Sequence, residues 1–237
     1  MALTSAPGGL PRWPVALAIV AHPDDESFGL GAVLTGFAAN GTRVAVLCFT
    51  RGEASTLHGV EGDLGRVRAQ ELEAAAQQMG LAGVRLLDHP DGALAHEPLE
   101  SLVTEALAYA AEVGATGLLA FDPSGITGHP DHQAATHVAE QVADQLRLPL
   151  LVWTLPDAVA ARLREEFAAP FSGHPPEVVD VVLTVDRARQ LKGIAQHASQ
   201  VVPGTPLWRR LELLGEQEHL RWLRPPARPG PGHGTRS

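Results

Sequence analysis

The sequence predicts a doubly wound α/β fold, with a mostly parallel sheet and helices on both faces. Three observations predict it. Short continuous apolar runs of strand length recur without polar alternation, as in strands buried on both sides. Segments with helical periodicity, ten or more residues long, separate those runs. Glycine or Asn-Gly closes several of these segments, as helix C-caps require.

Taken in order, Val15–Val20 is the first apolar run. A helix from about Phe28 to Ala39 follows and stops at Asn40-Gly41. Residues 43–49 read as the second strand. Leu64 to Met79 reads as a helix, because Val67, Leu72, Ala75, Ala76 and Met79 recur at helical spacing and Gly80 ends it. Val84–Leu87 is the third strand, and a helix from Leu99 to Val113 is closed by Gly114. Gly117–Phe121 is the fourth strand, Asp131–Leu146 a helix, and Leu150–Trp153 the fifth strand. Val178–Val185 is a later strand, followed by a helix from Asp186 to about Ser199. Residues 154–224 are expected to pack as an extension on the same domain. Right-handed crossovers between such strands give a Rossmann-like sheet. Ligands then bind beyond the C-terminal strand ends, where the strand order reverses.

Residues 1–13 are rich in Pro and Gly and are expected to be a flexible lead-in. Residues 225–237 contain Pro225-Pro226 and Pro229-Gly230-Pro231-Gly232, which neither a helix nor a central strand accommodates, so a disordered tail is expected. Of the 237 residues, 45% are hydrophobic and 19% charged, enough apolar material for one core. The formal charge of −9 opposes a phosphate-tracking surface, so no nucleic-acid partner is expected. No apolar run approaches the ~20 residues of a membrane span. The opening segment lacks the basic and apolar regions of a signal peptide. A cytoplasmic protein without a membrane partner is therefore expected, and homo-oligomerisation is left open. Cys48, the only cysteine, lies in the second strand and reads as an inert core thiol.

Two clusters carry chemistry. The first strand runs into His22-Pro23-Asp24-Asp25-Glu26, and the fourth into Asp122 and then Gly128-His129-Pro130-Asp131-His132. Both stand at the C-terminal ends of strands that would be neighbours at a switch point, so the fold would bring them face to face. Burying so many carboxylates together requires a cation or hydrogen bonds. A mixed imidazole–carboxylate set without thiols suits Zn²⁺ first, with Fe²⁺, Mn²⁺ or Ni²⁺ as alternatives. Either cluster alone also reads as a helix cap or turn; the pairing makes the case.

His-Pro-Asp-Asp after the first strand, with Gly-His-Pro-Asp-His after the fourth, resembles the LmbE-like, or PIG-L, family of zinc-dependent N-acetylglucosamine de-N-acetylases. Thr50-Arg51-Gly52-Glu53, Arg68-Ala69-Gln70-Glu71, Pro90-Asp91-Gly92 and Gln196-His197-Ala198-Ser199-Gln200 are similar to the family as well. The resemblance implies a single domain of this kind over residues 14–224. It implies His22, Asp25 and His132 as metal ligands, Asp24 as general base and His129 as acid or oxyanion stabiliser, with Asp131 orienting His129. The reaction implied is removal of an N-acetyl group from a small N-acetylglucosamine-type sugar or conjugate by metal-activated water. Arg51, Arg68, Asp91 and His197 are the implied substrate contacts. For Arg68 the alternative is a surface ion pair with Glu71, three residues on. Glu26 is readable as a helix cap and Asp122 as a turn residue. His58, His89, His96, His137, His174, His219 and His233 read as surface or packed histidines.

Four rivals compete. A dinucleotide-binding reading from Gly29 and Gly31 fails because Leu34 stands where the third glycine belongs. A Mg²⁺-dependent phosphohydrolase would use the same carboxylates, although the two histidines favour zinc. A metal-dependent amidase on another acyl conjugate, or a non-catalytic metal-binding relative, completes the set; the latter predicts a broken constellation, and this one is intact.

Overall fold

The computed structural model describes residues 9–57 and 62–227. Its centre is a seven-stranded sheet in the order β3-β2-β1-β4-β5-β7-β6. The chain runs through β1 (Val15–Val20), α1 (Asp25–Phe28), α2 (Gly31–Ala39), β2 (Arg43–Thr50) and α3 (Leu64–Met79). It continues with β3 (Gly83–His89), a 3-10 turn at Leu94–His96, α4 (Leu99–Val113) and β4 (Gly117–Phe121). Next come the irregular turn α5 (Gly125–Gly128), α6 (Pro130–Leu146), β5 (Leu150–Thr154) and α7 (Asp157–Phe167). The last elements are β6 (Val181–Thr184), α8 (Ala188–Ile194), α9 (Pro206–Leu214) and β7 (Gln217–Arg224).

Strands β1 to β5 are mutually parallel, and β7 runs antiparallel to both β5 and β6. The fold is thus the α/β class with a mostly parallel sheet. Along β1 the side chains divide between two cores: Ala16, Ala18 and Val20 face Val33, Leu34 and Phe37 of α2, while Leu17 and Ile19 face α4 and α6 through Leu102, Ala106, Val138 and Val142. Apolar residues on both sides of each central strand explain the missing polar alternation. Cys48 is fully buried, and burial pushes its thiol pKa up.

Three segments differ from the sequence reading. The helix expected from Phe28 to Ala39 is split into α1 and α2. Gly29 and Leu30 both donate to the Asp25 carbonyl, and a Cβ on Gly29 would overlap the Phe121 ring, so the chain bends where β4 passes beneath it. The late strand is confined to Val181–Thr184, because Pro175 and Pro176 set up a 3-10 turn ahead of it. The late helix ends at Ile194, and turns carry the chain through His197 to Val201. The extension is part of the sheet itself, since β7 lies between β5 and β6. Of the expected lead-in and tail, residues 1–8 and 228–237 lie outside the described residues, as do His58 and His233.

The order reverses between β1 and β4, which are paired through Ala16–Gly117, Leu17–Leu118 and Ala18–Leu119. Their C-terminal ends open into one crevice.

Candidate active site

At the end of β1 the chain turns sharply, and Asp25 holds the turn. Its Oδ2 accepts the backbone N–H groups of Ala21 at 3.1 Å and His22 at 2.9 Å, which leaves Oδ1 facing His132 Nε2 at 3.1 Å. His132 comes from the first turn of α6, whose N-cap is His129. The two clusters therefore meet across the crevice, with His22 Nδ1 and His132 Nε2 only 3.2 Å apart.

Hydrogen bonds at the far side of each ring decide which nitrogens point inward. His22 Nε2 donates to carboxylates, with Asp91 Oδ1 at 3.1 Å and Asp131 Oδ2 at 3.3 Å. His132 Nδ1 donates to the Gly125 carbonyl at 3.2 Å. In their neutral forms both rings thus turn an unprotonated nitrogen toward the other, beside Asp25 Oδ1. Three electron pairs at that spacing repel unless a proton or a cation lies among them. Burial opposes charge on His22, yet Asp131, Asp91 and Asp25 together push its pKa up to about 10. His132 is likewise raised, the pull of Asp25 outweighing burial. Burial would raise the Asp25 carboxyl, but His132 and His22 hold it well below its ordinary range.

The ligand atoms of His22, Asp25 and His132 all lie within 4.8 Å of one another, and so do those of His22, His129 and Asp131. The second trio is otherwise engaged. Both Asp131 oxygens accept backbone N–H groups, from Leu94 at 3.1 Å and Gly92 at 2.8 Å, and His129 Nδ1 accepts the N–H of Asp131 at 3.2 Å. Asp25 takes its backbone donors on Oδ2 alone and turns Oδ1 toward His132, so the first trio fits a metal ion better.

Asp24 stands at the start of α1 with φ 125 and ψ −24, a conformation that costs an L-residue about 1–3 kcal/mol. Its backbone is fixed on both sides: its N–H donates to Glu26 Oε2 at 2.9 Å, and its carbonyl accepts from Ser27 at 3.0 Å. Glu26 Oε1 meets His197 Nε2 at 2.8 Å. The Asp24 carboxylate is held by Arg68, whose Nη2 lies 3.0 Å from Oδ2 and also donates to the Pro23 carbonyl. Arg68 Nη1 donates to the Gly52 carbonyl at 2.7 Å. Gly52 has φ +65, and a Cβ there would overlap the guanidinium, so glycine is what lets Arg68 through. Burial raises the Asp24 carboxyl to about 6 despite the opposing pull of Arg68. Burial, and then the nearby His132 and His22, lower the pKa of His129.

The sequence profile described as PIG-L, GlcNAc-PI de-N-acetylase, matches residues 17–143. The chain belongs to the PIG-L family. A 1D-myo-inositol 2-acetamido-2-deoxy-alpha-D-glucopyranoside deacetylase of Streptomyces avermitilis is 31% identical over 54% of this chain and 52% of its own length. The enzyme of that name from Rhodococcus erythropolis is 27% identical over 78% of this chain and 80% of its own. The chain thus spans only about half the length of some of the curated relatives it matches. Among solved structures, the N,N'-diacetylchitobiose deacetylase of Pyrococcus horikoshii superimposes with a TM-score of 0.65 at 20% identity, covering 90% of this chain and 84% of that one. The 4-carboxy-2-hydroxymuconate hydratase GalB of Pseudomonas putida KT2440 does so at 0.65 and 17%, over 92% and 99%. Likeness at this level concerns the fold and does not choose the reaction.

Around the PIG-L motifs lies a cleft of about 540 Å³, bordered by His22, Asp24, Asp25, Asp91, His129 and His132. Three residues read from sequence stand elsewhere than expected. Arg51 points away from the cleft and pairs with Asp88 at 2.5 Å, both of them exposed. His197 has no exposed surface, so it supports Asp24 through Glu26 instead of touching a ligand. The Asp131 carboxylate serves His22 and the 92–94 backbone; its link to His129 is through its own N–H. Arg68 does not form the surface pair with Glu71, which instead accepts from Ser199. Asp122, beyond a turn bond to Ser124, meets His174 at 2.8 Å and Arg221 at 2.6 Å. Among the described residues no helix is long and apolar enough to cross a membrane.

Sequence reasoning missed the outer wall, formed by Phe28, Trp153, Phe171, Leu207 and Arg210. A signal existed for two of them. Trp153 ends β5, to which the same strand-end rule applies. Arg210 falls on the apolar stripe of α9 with Leu207, Leu211 and Leu214, where a cation is out of place.

Proposed function

We propose that this protein is a metal-dependent N-deacetylase that hydrolyses the N-acetyl amide of a small amino sugar or its conjugate, releasing acetate. The carrying observation is the convergence of His22 Nδ1, His132 Nε2 and Asp25 Oδ1, each oriented by a hydrogen bond on its far side, beside a carboxylate that is not part of the trio. His22, Asp25 and His132 would hold the metal, zinc being the ion that this donor set suits first. Bound there, zinc would lower the pKa of a water to about 7 and polarise the amide carbonyl.

The chain's own residues do the rest. Asp24 Oδ2 is engaged by Arg68, leaving Oδ1 to take the proton of the attacking water. His129 accepts the Asp131 N–H at Nδ1, so its ring proton is on Nε2, available to the developing oxyanion. A lowered pKa keeps that imidazole neutral and donating. Asp24, protonated in the first step, then supplies the proton to the leaving amine. Asp91, whose Oδ1 lies 3.1 Å from His22 Nε2, borders the cleft where sugar hydroxyls would lie.

The test is acetate and free-amine release from N-acetylglucosamine and a panel of its glycosides. Protein stripped of metal is reloaded with Zn²⁺ and compared with Asp24→Ala. Release restored by zinc and absent from the variant is the expected result. Stoichiometric zinc binding without release from any glycoside would move the reading to another acyl conjugate, and failure to bind metal would overturn it.

A further inference from the structure

Arg210 is a cation on an otherwise apolar helix face, 9% exposed, at the border of the cleft. Its guanidinium lies 4.9 Å above the Trp153 ring, and Nη2 donates to the Phe28 carbonyl. Nothing else among the described residues satisfies it. Nε is buried with no hydrogen-bond partner, and among the described residues no carboxylate forms an ion pair with the guanidinium. Glu218, the nearest acid acting on it, is already committed: Oε1 to Arg187 at 2.5 Å and Oε2 to Trp153 Nε1 at 2.7 Å. A buried cation with an idle donor nitrogen and no paired carboxylate is costly unless an anion completes it.

The surroundings define where that anion would come from. Ring contacts lead outward from the metal trio: His132 to Phe121 at 4.9 Å, Phe121 to Trp153 at 5.3 Å, and Trp153 to the Arg210 guanidinium at 4.9 Å. Trp153 is 1% exposed and backs this wall, whose cleft side carries Phe28, Phe121 and Leu207, apolar groups suited to the face of a ring. A group meeting Arg210 is therefore remote from the scissile amide and belongs to the other end of the same molecule.

We propose that Arg210 is a specificity residue for an anionic group, a carboxylate or a phosphate, borne by the substrate on the far side of the ring that lies along this apolar wall. The inference rests on the deacetylase reading of the adjoining site. It names the substrate class as N-acetylated amino sugars with an acidic aglycone.

The experiment uses the zinc-loaded protein and three N-acetylglucosamine glycosides whose aglycone ends in a carboxylate, a phosphate monoester or an uncharged carboxamide. The acidic glycosides are expected to exceed the carboxamide in kcat/KM by about tenfold, mainly through KM, as one charge-assisted hydrogen bond allows. In Arg210→Met the ratio falls to about one, and in Arg210→Lys part of it survives. Whichever acid is preferred identifies the source of the anion. Equal use of acidic and uncharged glycosides by the wild type, or a preference that persists in Arg210→Met, overturns the proposal. If no glycoside is hydrolysed, the deacetylase reading fails separately. Calorimetric binding of the same three compounds then decides the role of Arg210, with equal affinities counting against it. The wild-type ratio stands alone if the variants do not fold.

Discussion

Glu26 Oε1 and His197 Nε2 lie 2.8 Å apart, and neither side chain has any exposed surface. The pair reaches the cleft through the second Glu26 oxygen, which holds the N–H of Asp24 in its unusual conformation, and through the edge-to-face contact of His197 with Phe28. The buried pair thus bonds directly to the backbone of a residue in a strained conformation.

His197→Ala removes one member and leaves the Glu26 carboxylate buried without its partner. A loss of about 3 kcal/mol in stability is expected, with kcat reduced more than KM is raised. Urea unfolding and steady-state kinetics check this. Unchanged stability would show that the pair is dispensable.

Gly52→Ala combines a left-handed backbone with a Cβ that overlaps Arg68. Arg68 must shift and Asp24 with it. A displacement of the proposed base by about 1 Å costs on the order of 10²-fold in rate, so kcat is expected to fall by that factor while metal content equals that of the wild type. Wild-type kcat in the variant would refute the dependence of Asp24 on Arg68.

Asp131→Asn keeps the size of the side chain but weakens its hold on the Nε2 proton of His22 and on the backbone at Gly92 and Leu94. Loss of such outer support typically lowers metal affinity 10–100-fold. Competition with a chelator of known affinity measures the change. No change in zinc affinity would mean that Asp131 does not orient His22.

A pH dependence follows from Asp122, whose carboxylate is bonded to Ser124, His174 and Arg221 and to none of His22, Asp25 and His132. Burial alone would raise its carboxyl, but hydrogen bonds from Ser124 and Arg221 hold it below its ordinary value. A carboxyl lowered in the folded state stabilises the protein fully above the unfolded pKa of about 3.9. That contribution disappears as pH falls through the folded value. Asp122→Asn should therefore be less stable than wild type at pH 7, with the difference shrinking below about pH 4. Denaturant unfolding at several pH values checks this, and a gap that is constant or widens on acidification would contradict it.

Helix ends and strand positions in the first two thirds of the chain were legible because local chemistry determines them. Gly80 and Gly114 close α3 and α4 in left-handed conformations, as their sequence positions imply. The pairing of His22-Asp25 with His132 was also legible, since parallel topology carries both strand ends to one place. Lateral order was less so. Nothing local in Gln217–Arg224 says that this strand inserts antiparallel between β5 and β6, and the outer wall with Arg210 depends on that placement. Nor does a motif show depth: Arg51 and His197 both sit in family-like segments, yet one is exposed and the other sealed. The break between α1 and α2 depends on Phe121, a residue remote in sequence.

The insertion of β7 also sets an order of assembly. Trp153 must wait for Glu218, 65 residues further along, before its indole N–H is satisfied. Until the last strand arrives, β5 is an open edge and β6 has no neighbour in the sheet. The parallel half, with His22, Asp25 and His132, can condense while the rest of the chain is still emerging from the ribosome. The edge of β5 is then exposed to mispairing until synthesis reaches β7. Leu207 and Arg210, in the wall expected to choose the substrate, follow the whole parallel half in the order of synthesis.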